Sequence, residues 1–310
     1  GLAGRAGTFD LALANPPYYA EEAGTLAPDA LKARSHAMPE GDTLARTARA
    51  LEDWLGGRTI TDVSGQATDE DTRFAALVGR TVLNAQSQGK VLLVQCGDDL
   101  TVRSHLRMTG TWHVYTEGEQ WRRPVRRARL VLHCGDHLAV CFDTPAVEVL
   151  QTRDISVHPK IATLGPDVRD EAFDSRAVAE KAIGTQPTDV IGLALLDQRL
   201  AAGIGNIYRN EALFLVGTNP ASTLVALGPE RVAAAFAKAA DLLRANSTKK
   251  SDSQRDFGRG RGEFWVYGRA GEPCHTCGTD VDMARQGELS RPTWWCPTCQ
   301  PLVAADATDR

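Results

Sequence analysis

The chain has 310 residues, 43% hydrophobic and 24% charged, with a formal net charge of -4. That length and balance fit a soluble globular protein of about two ordinary domains. No apolar run reaches the roughly 20 residues needed to cross a bilayer, and the opening residues lack the order of a secretory signal.

Residues 1–37 form a Pro/Gly-punctuated segment that does not open with Met. From Thr43 to Leu55, Leu44, Ala48, Leu51 and Leu55 recur with helical spacing, and Asp42 or Thr43 suits the N-cap. Short apolar or alternating runs follow at Thr81–Ala85, Val91–Gln95, Leu100–Leu106, Thr111–Tyr115, Arg129–His133, Leu138–Phe142 and Ala146–Leu150. Many short strands at close spacing predict an antiparallel sandwich. The pattern changes around Leu164–Asp167, where a domain boundary is expected at 165–170. Helices are then predicted over Asp174–Ile183, Val190–Leu200, Ile207–Val216 and Arg231–Ala245. A polar Gly/Arg-rich loop, Asn246–Gly262, leads to an extended segment at Phe264–Tyr267 and then to paired cysteines.

The acidic sum hides two basic clusters. Trp121–Arg129 holds five arginines and no acid, and Leu243–Arg269 adds Arg244, Lys249, Lys250, Arg255, Arg259, Arg261 and Arg269 against three acids. Such clusters can follow a phosphate backbone or can be solvated loops.

Of seven cysteines, Cys96, Cys134 and Cys141 are scattered in apolar surroundings, which suits a reducing compartment. The other four form Cys274-x-x-Cys277 and Cys296-x-x-Cys299, with 18 residues between the pairs. That spacing points to one tetrahedral structural Zn2+, with a disulfide or redox pair as the alternative. His275, inside the first pair, reads as a bystander. A second motif, Gly203-Ile-Gly205-Asn206, places a tight turn before a helix that Asn206 can cap. Free N–H groups at such a helix start suit a phosphate, although a plain packing corner reads equally well.

The third motif is Met38-Pro39-Glu40. Proline alone has a secondary α-amine, whose condensation with a sugar aldehyde carbon gives a cationic iminium without a proton. Free α-amines have a pKa near ~8, so an unprotonated fraction exists at neutrality. Glu40 can shuttle protons, and Lys90 can hold phosphate or assist the amine. In the chain as written Pro39 is internal and its nitrogen is an amide. The expectation is that the working protein starts at Met38 and that Met removal exposes Pro39.

Residues 38 to about 300 resemble the formamidopyrimidine-DNA glycosylase/endonuclease VIII family, especially its endonuclease VIII side. The resemblance rests on Met38–Thr43, Gly89-Lys90, Ser104–Gly110, Leu164–Asp167, Leu196–Glu211 and the finger ending Arg291–Gln300. It implies an α+β multidomain fold: an N-terminal antiparallel β-sandwich at 38–166, a helical helix-two-turn-helix domain at 167–262, and a C-terminal zinc finger hairpin at 263–300, followed by a tail at 301–310. It implies a base-excision-repair DNA glycosylase with abasic-site lyase activity, removing oxidised bases. Pro39 would be the Schiff-base nucleophile and Glu40 the acid/base. Lys90 would bind phosphate near the lesion, and Asn206 and Arg291 would grip the phosphates flanking the flipped nucleotide. Arg107, Met108 and Thr109 would form the void-filling loop, with Met108 as wedge. The implied partner is damaged double-stranded DNA, with single-stranded or bubble DNA as further substrates. The implied enzyme is a monomer without membrane attachment, working in a bacterial cytoplasm at the nucleoid. Thr43 departs from the family, standing where many relatives carry a carboxylate.

A non-catalytic, zinc-dependent DNA-damage-binding protein is the alternative if the N-terminus stays blocked. Asn15-Pro16-Pro17-Tyr18 resembles the motif of N6-adenine-type methyltransferases, but only eight residues precede the run that carries it. Residues 1–37 are therefore expected to be a fragment or fused extension, and not an active methyltransferase.

Overall fold

The computed structural model describes residues 39–249 and 251–303. The 1–37 extension with its Asn-Pro-Pro-Tyr motif, Met38, Lys250 and residues 304–310 lie outside the described residues, as do the side chains of Asp69 and Glu70. In the first half, helix α1 (Gly41–Leu55) precedes β1 (Asp62–Ser64), a short α2 (Gln66–Glu70), β2 (Val82–Gln88), β3 (Val91–Cys96), β4 (Leu100–His105), β5 (Thr111–Thr116), β6 (Ala128–Cys134), β7 (His137–Phe142) and β8 (Ala146–Gln151). The strands form two four-stranded antiparallel sheets, ordered β1-β6-β7-β5 and β2-β3-β4-β8. Alternation turns Leu92, Val94 and Val102 of one sheet toward Leu130, Leu132 and Cys141 of the other.

The apolar stripe of α1, Leu44, Ala48, Leu51 and Leu55, closes the same core. Cys96, Cys134 and Cys141 are buried there, and burial raises the Cys134 thiol to about 11 and the other two to about 12. They act as small hydrophobes, not nucleophiles. All seven expected strands are present; β1 and α2 escaped sequence reading because they are only three and five residues long.

The second half holds α3 (Pro159–Ala162), α4 (Ser175–Thr185), α5 (Ile191–Ala194), α6 (Asn206–Leu215) and α7 (Leu224–Ser247), then the hairpin β9 (Asp282–Gln286) and β10 (Arg291–Trp295). Its core gathers Val178, Ile191, Leu200, Ile207, Phe236, Leu243 and Phe257. Helix α7 is interrupted at Gly228, whose φ of 72° admits glycine readily, before Pro229 restarts it.

Four local expectations are corrected. The helix expected over 190–200 ends at Ala194, because the Asp197 carboxylate accepts the Arg199 N–H and Gln198 donates to the Leu196 carbonyl. The segment 264–267, expected to be extended, bends and turns: its N–H groups at Trp265, Val266 and Tyr267 all converge on the buried Glu211 carboxylate. Burial raises Glu211 to about 7 even against those three donors. The N-cap of α1 is Glu40, not Asp42 or Thr43. Finally, the loop 246–262 is not merely polar and solvated, since Arg255 and Phe257 are buried.

Arg255 explains the last two corrections together. Its guanidinium donates to both Asp42 oxygens at 2.7 and 2.8 Å, and to Thr43 Oγ1 at 2.8 Å. Thr43 in turn donates to Asp252 at 2.8 Å, and Arg46 reaches both Asp42 and Asp252. The loop therefore supplies a carboxylate beside the position where Thr43 lacks one. Arg46 and Arg49 also donate to the Asn246 and Ser247 carbonyls at the end of α7. Thus α1 belongs to the sandwich by its apolar face and to the helical half by its charged one. Of the second basic cluster, Arg255 is consumed in this joint. Arg269 pairs with Glu272, and Arg259 pairs with Glu263 and stacks on Trp265, so part of that cluster is already engaged within the protein.

Asp42 and Arg255 side chains are fully buried, so breaking the pair leaves an uncompensated interior charge. Arg255→Ala is expected to destabilise folding by about 3–5 kcal/mol, read as a shift in denaturant midpoint. Burial alone would raise Asp42, but Arg255 and Arg46 outweigh it and hold the carboxyl at about 2. Its folded value lies below the unfolded value of ~3.9, so this contribution is complete above that pH and lost as pH falls through about 2. Acid titration of stability in Asp42→Asn should lack that component.

Candidate active site

A cleft of about 510 Å³ opens where the sandwich meets the helices. Its walls include Pro39, Glu40, Lys90, Arg107, Met108, Asn206 and Arg291. These seven residues therefore line one space, although they span positions 39 to 291; Thr109, the third residue of the expected void-filling loop, faces away from it. Arg103, His105, Lys160 and Gln198 also line it without having been picked. Arg103 and His105 sit on β4 beside the Leu106–Gly110 turn, and no spacing rule marks them. Burial, with Arg103, Arg107 and Lys90 nearby, lowers His105 to about 4 and keeps it neutral.

Glu40 is held from across the joint. Its Oε1 accepts the Ile207 N–H at 2.8 Å and its Oε2 the Tyr208 N–H at 3.4 Å, at the N-terminus of α6. The helix start read from sequence as a phosphate cradle is thus filled by the protein's own carboxylate, which suits the positive end of the helix dipole. The Gly-x-Gly turn is its receptacle. The Gly41 N–H donates to the Gly203 carbonyl at 3.0 Å, and a Cβ on Gly205 would lie 2.2 Å from Glu40 Cδ. Burial raises the Glu40 pKa, with Lys90, Arg255 and the Ile207 N–H pulling the other way. A carboxyl raised in this way can hold a proton and deliver it.

Lys90 sits just after the β2–β3 turn at Gly89, whose N–H donates to Asp167 at 2.6 Å. Asp167 is itself gripped by Arg169, which also bonds Ser87, so the Leu-Gly-Pro-Asp motif fixes the lysine-bearing turn. Burial lowers Lys90 to about 8; Glu40 opposes the shift and Arg291 adds to it.

Asn206 is the first residue of α6, not its cap, which is Gly205. Its Nδ2 donates to the Pro292 carbonyl at 2.9 Å, and its Oδ1 accepts from Arg209 at 2.5 Å. Buried Arg209 also bonds Pro292 O and Thr293 Oγ1, and the Trp294 N–H donates to Asn210. This polar seam docks β10 on α6 and thereby aims Arg291 into the cleft. Met108 is 49% exposed on its turn, and Arg107 adopts a φ of 50°.

Behind the hairpin, Cys274, Cys277, Cys296 and Cys299 place their sulfurs within 4.8 Å of one another. The Cys274–Cys299 and Cys277–Cys296 sulfur separations are 3.8 and 3.4 Å. Four thiolates about 2.3 Å from a tetrahedral ion stand roughly 3.8 Å apart, so the donor set fits a metal ion. The Thr276 and Cys299 N–H groups donate to Cys274 and Cys296 sulfurs, as thiolate ligands accept. His275 lies outside the cluster, with its ring facing Trp265.

Comparison with known proteins identifies the family. Residues 38–145 match the model of the formamidopyrimidine-DNA glycosylase N-terminal domain, and 164–257 match that family's H2TH domain. The chain belongs to the formamidopyrimidine-DNA glycosylase/endonuclease VIII family. It is 40% identical over 268 residues to "Probable endonuclease 8 2" of Streptomyces coelicolor, covering 85% of this chain and 94% of that protein. It is 37% identical to the "DNA-(apurinic or apyrimidinic site) lyase Nei2" of Mycolicibacterium smegmatis, over 85% of this chain and 99% of that one. Among solved structures, Lactococcus lactis Fpg in complex with DNA containing N7-benzyl-Fapy-dG aligns with a TM-score of 0.74 at 25% identity, over 85% of this chain and all of that one.

Because Lys90 is lowered to about 8, the unfolded chain binds one more proton than the folded chain between that value and the ordinary ~10.4. Stability should therefore rise with pH across this window. Lys90→Met is expected to flatten that rise, measured by denaturant titrations at a series of pH values.

Proposed function

We propose that this chain is a base-excision-repair DNA glycosylase with abasic-site lyase activity, acting through a Schiff base on Pro39 when that residue is N-terminal. The carrying observation is the cleft itself, where Pro39, a buried carboxyl of raised pKa, a lysine at about 8 and the finger arginine meet. The free Pro39 nitrogen bonds to C1′ of the flipped nucleotide as the C1′–base bond breaks, and the base leaves with a proton. Ring opening gives an iminium, loss of a C2′ proton follows, and the 3′ phosphate departs. Glu40 carries the protons. Lys90 and Arg291 offset the charge of the phosphates, and the second Nδ2 proton of Asn206 is available to a phosphate oxygen.

Met108, exposed beside the cleft, fills the space the flipped base vacates, with Arg107 alongside it. That role favours damaged duplex DNA, with single-stranded and bubble DNA as further substrates. The metal assigned to the four cysteines is zinc, which holds the hairpin as scaffold; a closed four-thiolate set leaves no position for substrate. We assign the enzyme as a monomer at the bacterial nucleoid in the cytoplasm. Among the described residues no helix is long and apolar enough to cross a membrane.

In the 310-residue chain the Pro39 nitrogen is in peptide linkage with Met38 and cannot attack. Borohydride trapping on abasic duplex DNA is expected to give a covalent complex mapping to Pro39 with protein expressed from Met38. The full chain with 1–37 intact should bind the same DNA without trapping. A Pro39 adduct in the intact chain, or none in the shorter protein while binding persists, would overturn the proposal and favour a damage-binding protein.

A further inference from the structure

The Arg107–Thr109 turn separates two surfaces. Arg107, Met108 and Ala146 face the active-site cleft. Thr109 and Pro145 face an open groove of about 410 Å³, whose other walls are Arg127, Arg129, Asp143 and Thr144. Sequence neighbours thus diverge, Met108 from Thr109 and Pro145 from Ala146, so the turn and this segment form a partition.

Arg127 and Arg129 bring to this groove one end of the first basic cluster, Trp121–Arg129, which has five arginines and no acid. Its backbone is anchored. The Arg122 N–H donates to Tyr115 Oη at 3.1 Å, Trp121 stacks on Tyr115, and Gln66 donates to the Arg126 carbonyl at 2.8 Å. Asp143 accepts from Arg127 at 2.6 Å and from Arg123, and Arg123 also donates to the Thr109 carbonyl at 3.0 Å. Arg123 therefore ties the basic loop to the wedge turn. Arg122 and Arg126 are exposed and form no ion pair among the described residues.

We infer that this groove, together with the exposed Arg122 and Arg126 of the loop that supplies its Arg127 and Arg129, binds backbone phosphates of the strand opposite the flipped nucleotide. The inference rests on the proposed reading of the cleft. A nucleotide flipped toward Pro39 leaves the wedge in the base stack, and the complementary strand then lies across the partition, on the side of Thr109. Guanidinium groups on an anchored loop suit phosphate oxygens there. A strand seated in the groove also steadies the wedge, because Arg123 bridges the loop and the turn.

The test is the Arg122→Ala/Arg126→Ala double variant, expressed from Met38. Dissociation constants are measured over a range of salt on a duplex with a reduced abasic analogue and on the lesion strand alone. On the duplex, the slope of log K against log salt is expected to shrink by about 1–2, since each phosphate contact contributes about 0.9. The slope on the single strand should not change, and Arg122→Lys/Arg126→Lys should restore most of the duplex slope. An unchanged duplex slope, or an equal loss on both substrates, would overturn the inference. Borohydride trapping of the unsubstituted protein reports on Pro39 separately. If trapping fails while the strand-selective slope persists, the lyase reading falls and the groove stands.

Discussion

The site depends on one carboxylate crossing a joint. Glu40 belongs to the segment that opens the sandwich half, yet its oxygens bond the N–H groups that start α6 in the helical half. Placing a carboxyl in a buried position is costly, and the α6 N-terminus offsets this with two donors and a favourable dipole. The same contact leaves the residue beside Pro39 with a raised pKa. Positioning and acid/base capacity therefore come from a single arrangement. The Asp42–Arg255 pair, two residues further along the chain, holds the same joint shut from the other side.

The fold was largely legible because sandwich strands and amphipathic helices write their periodicity into sequence. Leu44, Ala48, Leu51 and Leu55 mark one helix face, and the same four residues are buried in the core. What failed to be legible was polar and long-range. Arg255 reads as one member of a basic loop, yet its partner Asp42 lies 213 positions away. Glu211 reads as an ordinary helix residue, yet it organises the 265–267 turn through three backbone donors. Buried charges need partners, and pairing across such separations leaves no local pattern.

The lining of the cleft was legible as a set of residues, but how the fold places them was not. The Gly203–Asn206 turn reads equally as a phosphate cradle or a packing corner; in the fold it receives Glu40 and the Gly41 N–H. Asn206 does not cap its helix and instead joins Arg209 and Asn210 in docking the finger strand. The four cysteines fix the far end of that hairpin and the polar seam fixes the near end. Arg291 reaches the cleft because both hold.

The most direct test of the Glu40 placement is the base-excision rate of Gly205→Ala in protein beginning at Pro39. Gly205 has a φ of -120°, open to any residue, so the substitution acts through the space a Cβ would take, and the atoms nearest to it are those of the Glu40 side chain. Displacing the carboxyl is expected to lower excision by about 10²-fold or more, the usual scale of a lost general acid, with DNA affinity nearly unchanged. Excision at the unsubstituted rate would contradict the placement of Glu40 as the buried acid held by α6.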